Sequence, residues 1–392
     1  MTAGSGSSIL KDSKAATREA IEKARPSLHG GTATYGFVFA SPDYDFPTIM
    51  KTAHGMDPNC TFVGCTTAGE FIGQEIVGGG IVTLLLNDTD SIISGSFATE
   101  ITSSPQAAGA TLCDNYDARQ NKAAASRLAH GSSILLIDGL AGVGEIVIEE
   151  MRSKTRIFQQ VAGGAAGDNG AFDTTYVGLN DLAKSNAAAA LHVFSRKPWG
   201  FGLGHGLTAA TSSMVVTRAE GNIIHEINGR PAFDSYLEFA RMRNFSLDAS
   251  NASAFMMTHE LGVLMLGELR SARAPLSLLD NGALACAAGV PTGTSLCIVD
   301  GDANSMSTAA REAAIAAKKG LDNAPAAAVL VFDCVCRHAI MGDAFSQELA
   351  EIQSVFPDTP IAGFMTYGEI ARIRGRMDPW HNTTVVVVAI PA

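Results

Sequence analysis

Gly363-Phe364-Met365-Thr366-Tyr367-Gly368-Glu369-Ile370 decides how the fold is read, because the chain has used its pattern once before. Gly64-Cys65-Thr66-Thr67-Ala68-Gly69-Glu70-Phe71 repeats the order Gly-x-x-Thr-x-Gly-Glu. An apolar run precedes each copy (Thr61-Phe62-Val63; Pro360-Ile361-Ala362). Each therefore reads as a buried strand that ends in a tight glycine turn presenting a Thr and a carboxylate.

The echo widens around these corners. Ser133-Ile134-Leu135-Leu136-Ile137-Asp138 and Ala328-Val329-Leu330-Val331-Phe332-Asp333 are apolar strands closed by Asp, each ahead of a helix. Val161-Ala162-Gly163-Gly164-Ala165-Ala166-Gly167-Asp168 is a looser third corner. The expected fold class is α/β (α+β): strand-helix-strand units, repeated about three times, forming two mixed sheets or lobes with helices packed on them.

Composition sets the bounds. A chain of 392 residues, 46% hydrophobic, can bury a large core. A net charge of −11 without any run of Lys or Arg argues against nucleic acid or an anionic membrane as partner. Residues 1–8 are rich in Gly and Ser and lack the apolar segment of a signal peptide, and no apolar run approaches the roughly 20 residues of a membrane span. A cytoplasmic protein without membrane insertion is expected. Seven scattered cysteines with no framework spacing suit a reducing compartment, as small buried apolar residues.

Along the chain, residues 1–28 read as a tail and a surface helix. Residues 81–86 and 92–97 read as a β-hairpin around Asn87-Asp88. Short strands fill residues 201–227, and Pro231-Ala232 opens a helix. A boundary at 240/241 divides a domain over 29–240 from one over 241–392. Residues 241–253 are polar and irregular, and residues 307–319 form a helix with two lysines in its last turn.

Several constellations could carry chemistry. Glu70 and Glu369 stand at strand ends, where open α/β sheets bind ligands; each can equally accept hydrogen bonds from its own turn. Asp138-Gly139-Leu140-Ala141-Gly142-Val143-Gly144-Glu145 lies between strand and helix, but its glycine order is not a dinucleotide fingerprint and its acids would repel a phosphate. His205, within Gly200-Phe201-Gly202-Leu203-Gly204-His205-Gly206, would let a flat ligand approach its imidazole. His381 is a second candidate near a strand end, and His259 and His338 are weaker ones. Cys334-x-Cys336-x-His338 alternates as if along a strand end, with spacing unsuited to zinc. Arg337 can pair with Glu369 or with a ligand carboxylate. The common catalytic motifs are absent, so no enzyme is expected. An acid–base pair of Glu70 and Glu369 would need a common cleft, within about 10 Å.

The motifs also carry a family resemblance. The run from Val329-Leu330-Val331-Phe332-Asp333-Cys334 through Arg337, Gly363-Phe364 and Gly368-Glu369-Ile370 to His381-Asn382-x-Thr384 resembles the C-terminal half of the FIST (F-box and intracellular signal transduction) sensory domain family. Gly64 to Glu70, Gly204-His205-Gly206, Val216-Thr217-Arg218-Ala219-Glu220-Gly221-Asn222 and Asn228-Gly229-x-Pro231-Ala232 resemble its N-terminal half in the same order. The resemblance implies a bacterial, cytoplasmic signal-input protein that binds a small ligand, an amino acid or other small polar metabolite. It would relay its state to a separate partner such as a histidine kinase, a chemoreceptor or a cyclic-dinucleotide enzyme, and it leaves a homo-oligomer open. The implied ligand site comprises Thr67, Gly69, Glu70, Arg337, Thr366, Tyr367, Gly368, Glu369 and Asn382. The family also includes haem proteins that sense nitric oxide, which makes haem on His205 or His381 the alternative. An uncharacterised enzyme using Glu70 and Glu369 is a third reading.

Overall fold

A computed structural model describes residues 1–114, 116–155, 160–372 and 379–392. The apolar strands form the centres of three sheets built to one plan. The first unit runs β1 (Thr2–Ser8), α1 (Ser13–Ala24), β2 (Tyr35–Ala40), α2 (Phe46–Met56), β3 (Thr61–Thr66), the hairpin β4 (Glu70–Ile72) and β5 (Glu75–Val77), then β6 (Ile81–Asn87). The second runs β7 (Ile92–Thr99), α3 (Pro105–Leu112), α4 (Tyr116–Ala125), β8 (His130–Ile137), α5 (Gly144–Lys154), β9 (Gln160–Ala165), the hairpin β10 (Val177–Leu179) and β11 (Leu182–Lys184), then β12 (Ala187–Ser195).

The third unit opens with β13 (Gly200–Gly204) and is then interrupted. The inserted layer comprises β14 (Thr208–Ala209), β15 (Met214–Glu220), β16 (Ile223–Ile227), β17 (Arg230–Pro231), α6 (Ala232–Met242), α7 (Ala252–Thr258), β18 (Leu261–Met265), β19 (Glu268–Arg273), β20 (Pro275–Leu278), β21 (Leu284–Cys286) and β22 (Ser295–Asp300). The unit resumes with α8 (Ala303–Gly320), β23 (Ala326–Cys334), α9 (Val335–Met341), α10 (Phe345–Val355), β24 (Ile361–Thr366), the hairpin β25 (Glu369–Arg372) and β26 (Trp380–His381), then β27 (Val385–Pro391).

In each unit two parallel strands (β2 and β3, β8 and β9, β23 and β24) are flanked by an antiparallel return strand. The corner hairpins are passed round: β4 pairs with β24, β10 with β3 and β25 with β9. Each sheet is thus completed by another unit's corner. The central strands are buried on both faces, which is why they read as unbroken apolar runs. Phe37, Phe39, Ile134, Leu136, Leu330 and Phe332 point to one shared core, while Val38, Leu135 and Val331 point outward beneath the helices. At the centre, the rings of Phe39 and Phe364 lie 4.7 Å apart and those of Phe332 and Phe364 5.7 Å apart.

The class is α/β, with the unit present three times; each repeat has its own sheet, and the inserted layer adds a fourth to the two lobes suggested by sequence. Four local expectations change. Residues 2–8 are not a tail but β1, paired with β6. Its Gly and Ser content serves packing, since a Cβ at Gly4 or Gly6 would come within 2.1 Å of the Ala24 or Ala20 carbonyl of α1. β6 and β7 do not form a hairpin: β7 pairs with β12 in the second sheet, so residues 88–91 pass between units. Cys334 ends β23, but Cys336 and His338 lie in α9, so the three do not alternate along a strand. The 240/241 boundary falls inside α6, within the inserted layer. Among the described residues no helix is long and apolar enough to cross a membrane.

Candidate functional site

The three corners interlock at the carboxyl ends of the parallel strands. Ala68 N–H donates to the Met365 carbonyl at 2.9 Å, Gly167 N–H to Thr66 at 3.0 Å, and Ala165 N–H to Gly368 at 2.8 Å. Glycine is required where backbones meet this closely. Gly69 has φ +134°, and a Cβ at Gly167 would come within 2.7 Å of Ala68 N.

The corner carboxylates serve this interlock. Glu70 accepts hydrogen bonds from the Thr67 hydroxyl and from Gly80 N–H at 3.2 Å; Glu369 accepts from the Thr366 hydroxyl and from Thr384 N–H at 3.1 Å. Gly80 and Thr384 stand just before β6 and β27, so each Glu fastens the start of its unit's return strand. In the second unit Asp138 takes this role, accepting from Thr175 Oγ1 at 2.6 Å and from Asn186 N–H at 2.5 Å, just before β12. Glu70, Thr67, Glu369 and Thr366 are all fully buried. Burial pushes the Glu70 carboxyl up to about 7, and burial followed by the nearby Cys334 thiol pushes Glu369 well above the usual carboxylate range. Each carboxylate is closed off inside its own corner, and among the described residues the hydrogen bonds of Glu70 and Glu369 lead into their own turns and return strands rather than into a common cleft.

Tyr367 is half-buried. Its hydroxyl donates to Asp168 and accepts from Gly170 N–H at 2.7 Å, and its ring stacks on Phe172 at 4.9 Å. A Cβ on Gly368 would collide with the Trp380 ring at 2.4 Å.

Arg337 does not reach Glu369. It is fully buried, with Nε 2.9 Å and Nη2 2.8 Å from the two Glu348 oxygens and Nε 3.2 Å from Asp333. It also donates to the carbonyls of His205 (2.6 Å), Met306 (3.0 Å) and Thr383 (3.3 Å). Burial first, and then the Glu348 charge, push the Asp333 carboxyl well above the usual carboxylate range. The guanidinium is consumed in holding α9, α10, α8 and the segment before β27 together.

The glycine row beside His205 does not fit haem. Its open faces are filled by α8: a Cβ at Gly200, Gly202 or Gly204 would lie 1.7, 1.9 or 2.6 Å from the Ala317, Ala313 or Ala309 carbonyl. His205 Nδ1 accepts from Leu207 N–H at 2.9 Å. His381 is 2% exposed in β26, directly opposite Glu369. No group of His, Cys, Asp and Glu able to hold a metal ion occurs among the described residues.

Asn382 belongs to a docking seam. Its Oδ1 accepts from Ala274 N–H of the inserted layer at 3.3 Å. Arg273 completes the seam, pairing with Glu145 of α5 at 3.2 Å and donating to the Trp380 carbonyl at 3.3 Å. The inserted layer thereby covers the carboxyl ends of the third unit's strands.

A cavity of about 350 Å³ opens in the inserted layer, lined by Arg243, Phe245, Asn251, Ala254, Phe255, Thr258 and His259. The polar, irregular stretch after α6 builds its rim, and α7 its floor. Phe255 stacks between Phe245 (4.8 Å) and His259 (4.3 Å), forming an aromatic wall. Arg243 lies over the Phe239 ring at 5.0 Å and pairs with Asp300, whose other oxygen is 3.7 Å from His259 Nε2. His259 Nδ1–H donates to the Phe255 carbonyl at 2.9 Å, fixing the ring. Of its residues only His259 stands out in the sequence; the local signal is the stretch Arg241-Met242-Arg243-Asn244-Phe245 leaving a helix.

The chain matches the FIST N domain over residues 34–230 and the FIST C domain over residues 232–372. It belongs to the FIST family, whose domains are generally signal-transduction sensors. The division between the two matches falls in the inserted layer, between strands that pair with one another: β15 and β16 precede it, β21 and β22 follow it. No curated protein matches the chain.

Proposed function

We propose that this protein is a signal-input protein that takes its ligand, an amino acid or other small polar metabolite, in the cavity of the inserted layer, and relays its state to a separate signalling protein. The observation that carries this reading is the placing of Arg243 and Asp300 beside the aromatic wall of Phe245, Phe255 and His259. A ligand carboxylate would draw the guanidinium from Asp300 and leave that carboxylate to hold an ammonium, while the rings cover the ligand's apolar part. Arg243 is half exposed in its pair, so exchanging one carboxylate for another costs little. The corner residues support the reading from the other side, because their polar groups are spent on the interlock.

The test is calorimetric titration with single amino acids and short dicarboxylates, after a thermal-shift screen of the same compounds. Saturable binding that Arg243→Ala weakens on the order of 10-fold or more, the loss of a charge-assisted hydrogen bond, is the expected result. Binding that survives Arg243→Ala and Phe255→Ala unchanged would place the ligand elsewhere.

A further inference from the structure

Two consecutive residues face opposite ways at the end of α7. His259 lines the cavity, whereas Glu260 is 1% exposed and turned toward the third unit. The polar groups facing it there are Thr383, just before β27, and Cys336, in α9. Neither carboxylate oxygen of Glu260 makes a well-formed hydrogen bond among the described residues, and neither does Thr383 Oγ1, although Thr383 and Cys336 lie near enough to steady a charge there. Ionising a carboxylate buried this way carries a desolvation cost, so the docked layer favours the neutral acid.

We propose that Glu260 couples the ligand cavity to the three-unit body: as a neutral acid it seals the inserted layer against Thr383 and Cys336, and its ionisation loosens that seal. The proposal rests on the cavity being the ligand site, since a ligand that moves His259 moves Glu260 with it. The charged and titratable groups around Glu260 are Arg273 from β19, Tyr236 from α6, Cys286 from β21, Cys334 at the end of β23 and Cys336 in α9. Thr383 and Cys336 and then the Arg273 charge favour the carboxylate, and Arg273 is already paired with Glu145. Burial dominates and pushes Glu260 up to about 7. The docked state therefore holds the proton more tightly than the open state, and docking weakens as pH rises through that value.

Hydrogen exchange of the ligand-free full chain between pH 5.5 and 8.5, corrected for the intrinsic pH dependence of exchange, tests this. The amides of α9 and of residues 383–385 should lose protection by about tenfold or more toward high pH, and Glu260→Gln should flatten that profile. A flat wild-type profile, or an unchanged slope in Glu260→Gln, would overturn the proposal. Because Glu70 adds its own pH dependence over this range, the variant comparison decides, and Glu260→Leu, which cannot ionise, replaces Glu260→Gln should that variant fold poorly. No ligand is present, so failure here is distinct from failure of the cavity as ligand site.

Discussion

At the third corner, Glu369 accepts from Thr366 and Thr384 and is sealed from water. In the inserted layer, Arg243 and Asp300 pair at a rim that water reaches, beside rings with an open face. Both regions look like ligand chemistry when reduced to residue types. The difference lies in what each polar group has left to give: the corner carboxylate is used by the turn and by the strand it anchors, whereas the rim pair is exposed and exchangeable. A repeated motif in a repeated fold points first to what the repeat needs in order to close.

The comparison can be broken most forcefully at Arg337. Arg337→Ala strips the buried partner from Glu348 and Asp333 and should cost about 3–5 kcal/mol in urea unfolding; a loss below 1 kcal/mol would mean the guanidinium is available for a ligand. Next comes Glu70, whose folded value near 7 lies above its unfolded one. Its contribution is complete below the unfolded value and is lost as pH rises through about 7, a fall of roughly 3 kcal/mol at most. Thermal unfolding from pH 5 to 8 should show that decline, and Glu70→Gln should remove its share. Gly202→Ala drives a methyl group into the α8 backbone and should cost about 1–3 kcal/mol; a neutral effect would reopen the glycine row to a flat ligand such as haem. Smallest is Arg243→Ala, which should change stability by about 1 kcal/mol or less, and a larger loss would make it another structural residue.

Much of the architecture could be read from the chain. Strands buried on both faces stand out as apolar runs, and the corners announce themselves because the positive φ of Gly69, the Ala68 backbone against Gly167 and the Trp380 ring against Gly368 leave little room for another residue. The exchange of hairpins between sheets left no such trace, since β4, β10 and β25 carry the same short apolar signal whichever sheet they join. β1 was misjudged for a related reason, since glycines that make room for a helix look the same as glycines of a tail; β13 was read as a strand, but its glycines, which make room for α8, could equally be taken for a ligand platform. The cavity was hardest to see. Arg243, Phe245 and His259 converge only after α6 and α7 pack on the inserted sheet, so neither spacing nor repetition links them.

The most direct measurement is calorimetric binding of the amino acid found by the screen to two variants side by side, Arg243→Ala and Glu369→Gln, each with its melting temperature recorded. A ligand site in the inserted layer predicts that Arg243→Ala loses affinity on the order of 10-fold or more at a nearly unchanged melting temperature. Glu369→Gln should melt earlier yet bind normally while folded. Normal binding by Arg243→Ala together with lost binding by Glu369→Gln would return the ligand to the corners.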